Sequence, residues 1–229
     1  KGYVACEQAL LCGGAWSSLF LQGHGVRIPQ LSVRATVIKT SVLPEVFAGG
    51  AVDSKLAFRH RIDGGYSLAT SSTHDLFLGW DGMRHAKSFW PAVKNDPFNN
   101  RINPFGPPNY PDSWTVKRSW GSEEETTFER TRILNPAPSQ KAMRIIKKSF
   151  DRAFPQFKGW SVSGAWAGLI DTMPDVVPII DRCSDIPGLT IATGMSGHGF
   201  GIGPGVGRVV ADMMTGKHSN HILHRFRYD

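Results

Sequence analysis

The stretch whose residue types suggest chemistry is residues 194–207, near the C-terminus, in which glycine is the commonest residue. The apolar, β-branched run Leu189 to Thr193 precedes them, and the pattern after them predicts an amphipathic helix that ends at Gly216. A strand, a tight loop and a helix N-terminus in this order present unpaired backbone N–H groups and the positive end of a helix dipole. Glycines also let a flat or anionic ligand approach the backbone. The stretch therefore predicts a cofactor cradle, with a turn needed only for packing of helix on sheet as the alternative.

The spacing of these glycines does not name the cofactor. Residues 194–207 contain no G-x-G-x-x-G dinucleotide fingerprint, and the chain has no G-x-x-x-x-G-K-[ST] phosphate loop.

Three blocks of sequence are more specific. The run Gly194-Met-Ser-Gly-His-Gly-Phe-Gly-Ile-Gly203, preceded by Trp166-Ala-Gly-Leu169 and Met173-Pro-Asp-Val-Val-Pro-Ile-Ile180, resembles the C-terminal part of the D-amino-acid oxidase-like flavoproteins. A third block, Leu10-Leu-Cys-Gly-Gly-Ala-Trp-Ser17, resembles a strand end that lies along FAD in the same family. The family includes glycine and sarcosine oxidases and D-amino-acid and opine dehydrogenases.

The resemblance implies FAD as the cofactor. It implies that three groups of residues contact this cofactor: Gly13, Gly14, Ala15 and Trp16; Gly168 and Leu169; and Gly194, Met195, Gly197, His198, Gly199, Phe200, Gly201 and Ile202. Within the last group, residues 197–202 are implied to supply backbone groups to the pyrimidine side of the flavin.

The implied fold is α/β, with part of an FAD-binding Rossmann-like domain and an antiparallel-sheet substrate domain. We assign residues 1–27 to the FAD-binding domain, residues 28–158 to the substrate domain, and residues 159–229 to a return into the FAD-binding domain. The family carries a G-x-G-x-x-G fingerprint near its N-terminus, which this sequence lacks. We therefore expect the chain to be the C-terminal portion of the enzyme, with the N-terminal FAD-binding portion in the same or another chain.

A strand over residues 28–40 and a hairpin over residues 55–70 are predicted in the substrate domain, the hairpin turning at residues 63–65. Period-two alternation places Arg59 and Arg61 on one face and His60 on the other. Either arginine could bind a substrate carboxylate through its two-pronged guanidinium, and two exposed arginines on an edge strand are the alternative.

Two positions in the resemblance concern the substrate. Sarcosine oxidases have a lysine that helps oxygen react where this chain has Ser67 or Tyr66, which favours a dehydrogenase and makes Tyr66 a candidate substrate contact. Amino-acid-oxidising relatives often have a carboxylate-binding arginine where this chain has Ile170. An aliphatic side chain cannot replace that arginine, so the substrate stays open.

The remaining elements are expected to be structural. They are a buried strand over residues 4–12, a short helix opened by Ser17 and Ser18, a helix over residues 123–134, a helix capped by Ser139 and ended by Pro155, and a strand over residues 160–166. Residues 89–112, rich in proline, asparagine and aromatics, predict a packed excursion that is a lid, a subunit contact or a surface loop.

The composition is that of an ordinary globular protein, with 41% hydrophobic residues and a net charge of +7. The basic residues fall mainly on one helix and the tail, which favours a solvated surface over binding to nucleic acid. No apolar run approaches the roughly 20 residues of a membrane helix. The three cysteines have no metal-ligand spacing and indicate reduced thiols, so we expect a cytoplasmic protein without a metal.

The predicted reaction is FAD-dependent oxidation of the C–N bond of a D-amino acid, an N-methyl amino acid or an opine, giving an imine that water hydrolyses. No catalytic residue is assigned, because His198 between glycines is typical of a positional residue. The alternative is a non-catalytic subunit or processed fragment that assembles with a flavoprotein partner. The sequence leaves the oligomeric state, the electron acceptor and covalent attachment of the flavin open.

Overall fold

The computed structural model describes residues 2–71, 73–95, 100–217 and 221–228. Within these residues the ten strands are β1 (Ala9–Leu11), β2 (Leu31–Thr40), β3 (Gly50–Val52), β4 (Ala57–His60), β5 (Tyr66–Ala69), β6 (His74–Phe77), β7 (Asn100–Asn103), β8 (Val162–Thr172), β9 (Ile179–Arg182) and β10 (Leu189–Thr193). The six α-helices are α1 (Ser17–Gly23), α2 (Trp80–Arg84), α3 (Ala86–Asn95), α4 (Thr127–Arg130), α5 (Gln140–Ala153) and α6 (Gly199–Met214). None of these helices is both long enough and apolar enough to cross a membrane.

A small three-stranded sheet combines one strand from the N-terminal part of the chain with two strands from the C-terminal part. Its strand order is β1-β10-β9, with β1 parallel and β9 antiparallel to the central β10. All five residues of β10 are buried. Helix α6 packs on this sheet through Val209 and Val210, which contact Ile180 and Ala192.

A large seven-stranded sheet is built around β2. Strand β8 runs antiparallel to β2 along nearly its whole length, and β5 and β6 pair with successive parts of the other edge of β2. The hairpin of β4 and β5 continues to β3, and β7 lies parallel to β6. Because β8 belongs to this sheet, the chain returns to the small sheet only after Thr172.

The two faces of the large sheet differ. On one face Ile38, Tyr66 and Leu68 pack against Ile146 and Phe150 of α5, and the Ser139 hydroxyl caps α5 by accepting from the Ala142 N–H. Alternation along β2 directs the other residues of the strand to the opposite face. We call this second side the open face, and its members on β2 are Val33, Ala35, Val37 and Lys39.

A buried network of charges joins α2 to α1 and to the segment after β7. Asp112 accepts hydrogen bonds from the Asp81 and Gly82 N–H groups and so caps α2. Arg118 lies 2.7 Å from the Asp81 carboxylate and 3.4 Å from that of Asp112. Burial raises the pKa of Asp112 to about 6, with the neighbouring Asp81 charge acting in the same direction. On the side of α1, Asp81 also accepts from Gln22 at 2.8 Å.

Several predicted elements are confirmed. The hairpin turns at residues 61–65, α1 begins at Ser17, α5 is capped by Ser139, and β10 spans the predicted strand.

Four predictions of elements were wrong in extent. The strand predicted over residues 160–166 is β8, which begins at Val162 and continues to Thr172. The strand predicted over residues 4–12 is only β1, whose three residues pair with three of β10, and Ala9 and Leu10 are exposed. The helix predicted over residues 123–134 is only α4, because Thr126 and Glu129 form a capping box and an N-cap residue is not helical. Residues 89–112 are more regular than expected, since they include most of α3 and all of β7.

Replacement of Arg118 by methionine tests the charge network. It removes the cation that Asp81 and Asp112 share, while Asp81 keeps Arg84 at 3.1 Å, so we expect the free energy of unfolding to fall by about 1.5–3 kcal/mol in a urea titration. Arg130→Met is the control, since Arg130 and Glu125 form a solvent-exposed pair and such surface pairs contribute under about 1 kcal/mol to stability. Equal stability of the two variants would contradict the assignment.

Candidate functional site

The loop between β10 and α6, residues 194–198, has a backbone conformation that its glycines make possible. We call it the glycine loop. Gly194 and Gly197 have φ angles of +75° and +87°, in the region that favours glycine, and Ser196 has a φ of +50°. A Cβ atom at Gly194 would lie 2.5 Å from Cγ of Met173, so this glycine is also required by close packing.

The carboxylate of Asp171, near the end of β8, lies under the glycine loop. Its Oδ2 accepts the Gly194 N–H at 2.7 Å, and its backbone carbonyl accepts the Ser196 N–H at 2.9 Å. Burial raises the pKa of Asp171, and the hydrogen bonds from loop N–H groups oppose that rise. One residue of the large sheet therefore fixes the loop that follows the central strand of the small sheet.

Two polar side chains complete the surroundings of Asp171. Gln30, which leads into β2, donates to Asp171 at 3.3 Å and to the Thr193 hydroxyl at 2.9 Å. The amide oxygen of Gln30 accepts the Ser18 N–H at 3.0 Å, and the hydroxyls of Thr193 and Ser17 are 2.9 Å apart. The beginning of α1, the start of β2 and the end of β10 are thus tied to the same carboxylate.

A cavity of about 650 Å³ opens beside the glycine loop, and we call it the first cavity. Its walls come from the end of β1, the end of β8, the end of β10, the loop and one side of α6. Asp171 is the only carboxylate among the described residues that line it. The Cys12 thiol also lines it, and burial raises the pKa of that thiol.

The predicted cofactor contacts fall into two sets. Those that line the first cavity are Gly14, Leu169, Met195, Gly197 and Gly199. The others lie behind or beside it: Gly13, Ala15 and Trp16 around a single 3-10 turn, Gly168 on the open face, Gly194 buried against Met173, and His198, Phe200, Gly201 and Ile202 on the exposed start of α6.

The four predicted substrate contacts are not brought together. Tyr66 is wholly buried on the α5 side of the sheet, where its hydroxyl donates to the Pro44 carbonyl and accepts the Val46 N–H. Tyr66 therefore faces α5, and its neighbour Ser67 lies on the open face.

The two arginines do share the open face, but they differ in their surroundings. Arg61 donates to Asp63 and to the Ser67 hydroxyl, so its guanidinium is already occupied. Arg59 is exposed opposite Ser67, and among the described residues its side chain has no hydrogen-bond or ion-pair partner.

Ile170 lies at the other end of the open face, where it pairs with Val33 and lines the first cavity. Ser67 pairs with Lys39, six positions further along β2, so Arg59 and Ile170 lie about 20 Å apart along the strand direction. One small substrate does not contact both side chains.

Sequence reasoning missed Asp171, Gln30 and Thr193 as the residues that hold the glycine loop. A signal was present for Asp171, since a carboxylate in a mostly apolar strand has to be compensated by hydrogen bonds once it is buried. The roles of Gln30 and Thr193 depend on contacts across 163 positions of sequence, for which local patterns carry no signal.

Comparison with known proteins identifies the family. Residues 1–213 match the model of the FAD dependent oxidoreductase family. The chain belongs to this family. A stretch of 95 residues is 31% identical to the bifunctional protein ThiO/ThiG of Nostoc sp., covering 42% of this chain and 14% of that protein.

Solved structures agree in fold. L-amino acid deaminase from Proteus myxofaciens, determined in complex with anthranilate, superposes with a TM-score of 0.84 at 25% identity over 96% of this chain and 48% of its own. The deaminase from Proteus vulgaris superposes with a TM-score of 0.84 at 24% identity, covering 96% of this chain and 51% of its own. Glycine oxidase from Geobacillus kaustophilus superposes with a TM-score of 0.64 at 14% identity, covering 98% of this chain and 46% of its own. This chain thus spans about half the length of the solved structures that it matches.

The first cavity fits the ring end of FAD. It is open and largely apolar, and it is bordered by the glycine loop and by the N-terminus of the 16-residue helix α6, whose first N–H groups have no partner within a helix. Gly197 is exposed and Gly199 half-buried there, so backbone can meet a flat ring without interference from side chains. The 229 residues contain no G-x-G-x-x-G fingerprint of the kind that binds the pyrophosphate.

Replacement of Gly194 by alanine tests the glycine loop. Alanine at a positive φ costs about 1–2 kcal/mol, and its methyl group would collide with Met173. We expect a lower melting temperature and a lower FAD content in the purified protein. Gly205→Ala in α6 is the control, because a Cβ there meets nothing within 4 Å, and it should retain both properties. An unchanged FAD content in Gly194→Ala would contradict this role of the loop.

Proposed function

We propose that this chain is the substrate-binding and flavin-facing part of an enzyme that oxidises the C–N bond of an amino acid or secondary amine. The observation that carries the proposal is the position of the glycine loop and first cavity beside an uncovered sheet face. Gly168, on that face, has open space above it, and Trp166 two residues before it is exposed. Membership in the FAD-dependent family and the likeness to amino acid deaminases support the proposal.

Bound FAD would supply the acceptor for a hydride from the substrate carbon next to nitrogen. Loss of that hydride together with the N–H proton turns the amine into an imine, and water then hydrolyses the imine to a carbonyl compound and an amine or ammonia. Both electrons leave the substrate with the hydride, and the proton leaves to solvent.

The residues of this chain contribute position and electrostatics. The N-terminus of α6 would stabilise negative charge that grows at the nearby edge of the ring. The apolar walls of the first cavity exclude water from the same region. His198, the exposed N-cap residue of α6, makes no side-chain cap hydrogen bond and is assigned no proton-transfer role.

Arg59 is proposed to bind a carboxylate of those substrates that extend along the open face. It lies opposite Ser67 and Lys39, four positions or about 13 Å along the strand from the level of Ala35 and Gly168. An arginine side chain covers only part of this gap. A simple amino acid held over Gly168 therefore stays out of reach of Arg59, whereas the second carboxylate of an opine comes closer to the Arg59 guanidinium.

The alternative remains a non-catalytic subunit that assembles with a flavoprotein. The cytoplasmic location, oligomeric state and attachment of the N-terminal FAD-binding portion stay predictions.

Anaerobic addition of amines to the purified full-length protein tests the function. A panel of D- and L-amino acids, N-methyl amino acids and opines is added while the visible absorption of the flavin is followed. Bleaching by members of the panel is the expected result. An oxidised flavin that no member bleaches would exclude the proposed reaction, and a colourless preparation that contains its N-terminal portion would favour the assembly role.

Arg59→Met tests the arginine separately. We expect KM for opines to rise at least tenfold, because the guanidinium–carboxylate interaction is lost, and KM for simple amino acids to stay within twofold. Arg144→Met on the exposed side of α5 is the matched control and should change neither. Equal effects of Arg59→Met on both substrate classes would refute the extended binding mode.

A further inference from the structure

A second cavity of about 360 Å³ lies on the open face next to the first one. Its floor consists of side chains from three adjacent strands. Val33 of β2 is directly opposite Leu76 of β6 on one side and Ile170 of β8 on the other, and Leu31 is opposite Thr172. Directly opposed residues project to the same side of a sheet, so these side chains form one continuous apolar surface.

Helix α3 forms the roof of this second cavity. Phe89, Ala92 and Val93 are spaced by three and four positions and so share one side of the helix, and all three line the cavity. Lys94 and Trp90 are exposed elsewhere on the helix. The roof therefore belongs to the excursion whose role the sequence left open.

Ile170 connects the two cavities. It lines both of them, and a Cβ atom at Gly197 of the glycine loop would lie 3.6 Å from its Cδ1. Ser196 of the same loop also lines the second cavity. A molecule held over Gly168 thus lies two positions along β8, about 7 Å, from Ile170 at the mouth of the second cavity.

The chemistry of the lining selects among substrates. Among the described residues, no aspartate, glutamate, lysine or arginine lines the second cavity. Its polar side chains are Ser71, His74, Thr172 and Ser196. His74 is two residues before Leu76 on the antiparallel strand β6, which places it at the level of Ala35 and Gly168 rather than deep in the cavity. Ser71 Oγ is buried without a hydrogen-bond partner among the described atoms, as expected of a group that a ligand satisfies.

From this arrangement we propose that the second cavity receives the side chain of the substrate and selects branched aliphatic and aromatic amino acids. Ser71 and His74 lie at the polar end, where the substrate carries its amine and carboxylate. A charged substrate side chain would lose its hydration without gaining a partner there. This inference rests on the proposed function, because it names the substrate class of the same site.

Filling the cavity tests the inference in the full-length flavoprotein. Values of kcat/KM are measured for both enantiomers of leucine, phenylalanine, lysine and glutamate, and for glycine. We expect the wild type to prefer leucine or phenylalanine. Ala92→Trp should lower kcat/KM for these two at least tenfold and leave glycine within twofold, because the indole would fill the cavity and even one methylene in an apolar pocket is worth about 10–200-fold.

Two further variants keep the test independent of folding. Lys94→Trp places the same residue on a different side of α3 and should change no value by more than twofold. Val93→Ala enlarges the cavity and should raise the ratio of kcat/KM for phenylalanine to kcat/KM for leucine severalfold. Preference for lysine or glutamate, or equal losses for leucine and glycine in Ala92→Trp, would overturn the inference and leave the proposed oxidation standing. Failure of every amino acid and amine to reduce the flavin would instead overturn the proposed function.

Discussion

The hydrogen bond from the Gly194 N–H to the Asp171 carboxylate, 2.7 Å long, is the contact on which the candidate site depends. It joins the end of the longest strand of the large sheet to the loop that follows the central strand of the small one. Gln30 and Thr193 bind the same carboxylate from the start of β2 and the end of β10. A buried carboxylate is costly unless hydrogen bonds compensate it, so this arrangement tolerates few alternatives. The glycine loop and the first cavity are consequently held in one position relative to the open face.

The two faces of the large sheet differ in how closely they are packed. One face carries α5 and a cluster of aromatic side chains in which Tyr66, Phe150 and Phe157 meet at ring separations of about 6 Å. The other face leaves Gly168 and Trp166 uncovered beside the glycine loop and is roofed by α3 only around the second cavity. Rigid packing on one side thus supports a surface that stays accessible on the other.

Local patterns predicted the elements with strong signals. The β-branched run of β10, the Ser139 cap of α5 and the turn around Gly64 each depend on a few neighbouring residues, and each is where it was expected. The family and its cofactor also followed from short blocks of sequence. The glycines alone left cofactor binding and simple packing open.

The parts that could not be predicted depend on pairing between distant strands. Alternation placed Arg59 and Arg61 on the same face, but only the register of β4, β5 and β2 shows how far Arg59 lies from Ile170. Tyr66 was expected at the site because the phase of β5 relative to α5 was unknown. The second cavity likewise requires three strands and α3 to meet, which no single segment of sequence reveals.

The central claim is that Asp171 holds the loop that binds the flavin, and the affinity for FAD tests it most directly. Apoprotein of the full-length wild type, of Asp171→Ala and of Asp212→Ala is titrated with FAD, with binding followed by quenching of flavin fluorescence. Asp212, which is half-buried on α6 and pairs with the exposed Arg208, serves as the control. Because a buried N–H left without a partner costs about 1–3 kcal/mol, we predict that Kd rises by about tenfold or more in Asp171→Ala and stays within twofold in Asp212→Ala. Equal affinities of Asp171→Ala and the wild type would contradict the account.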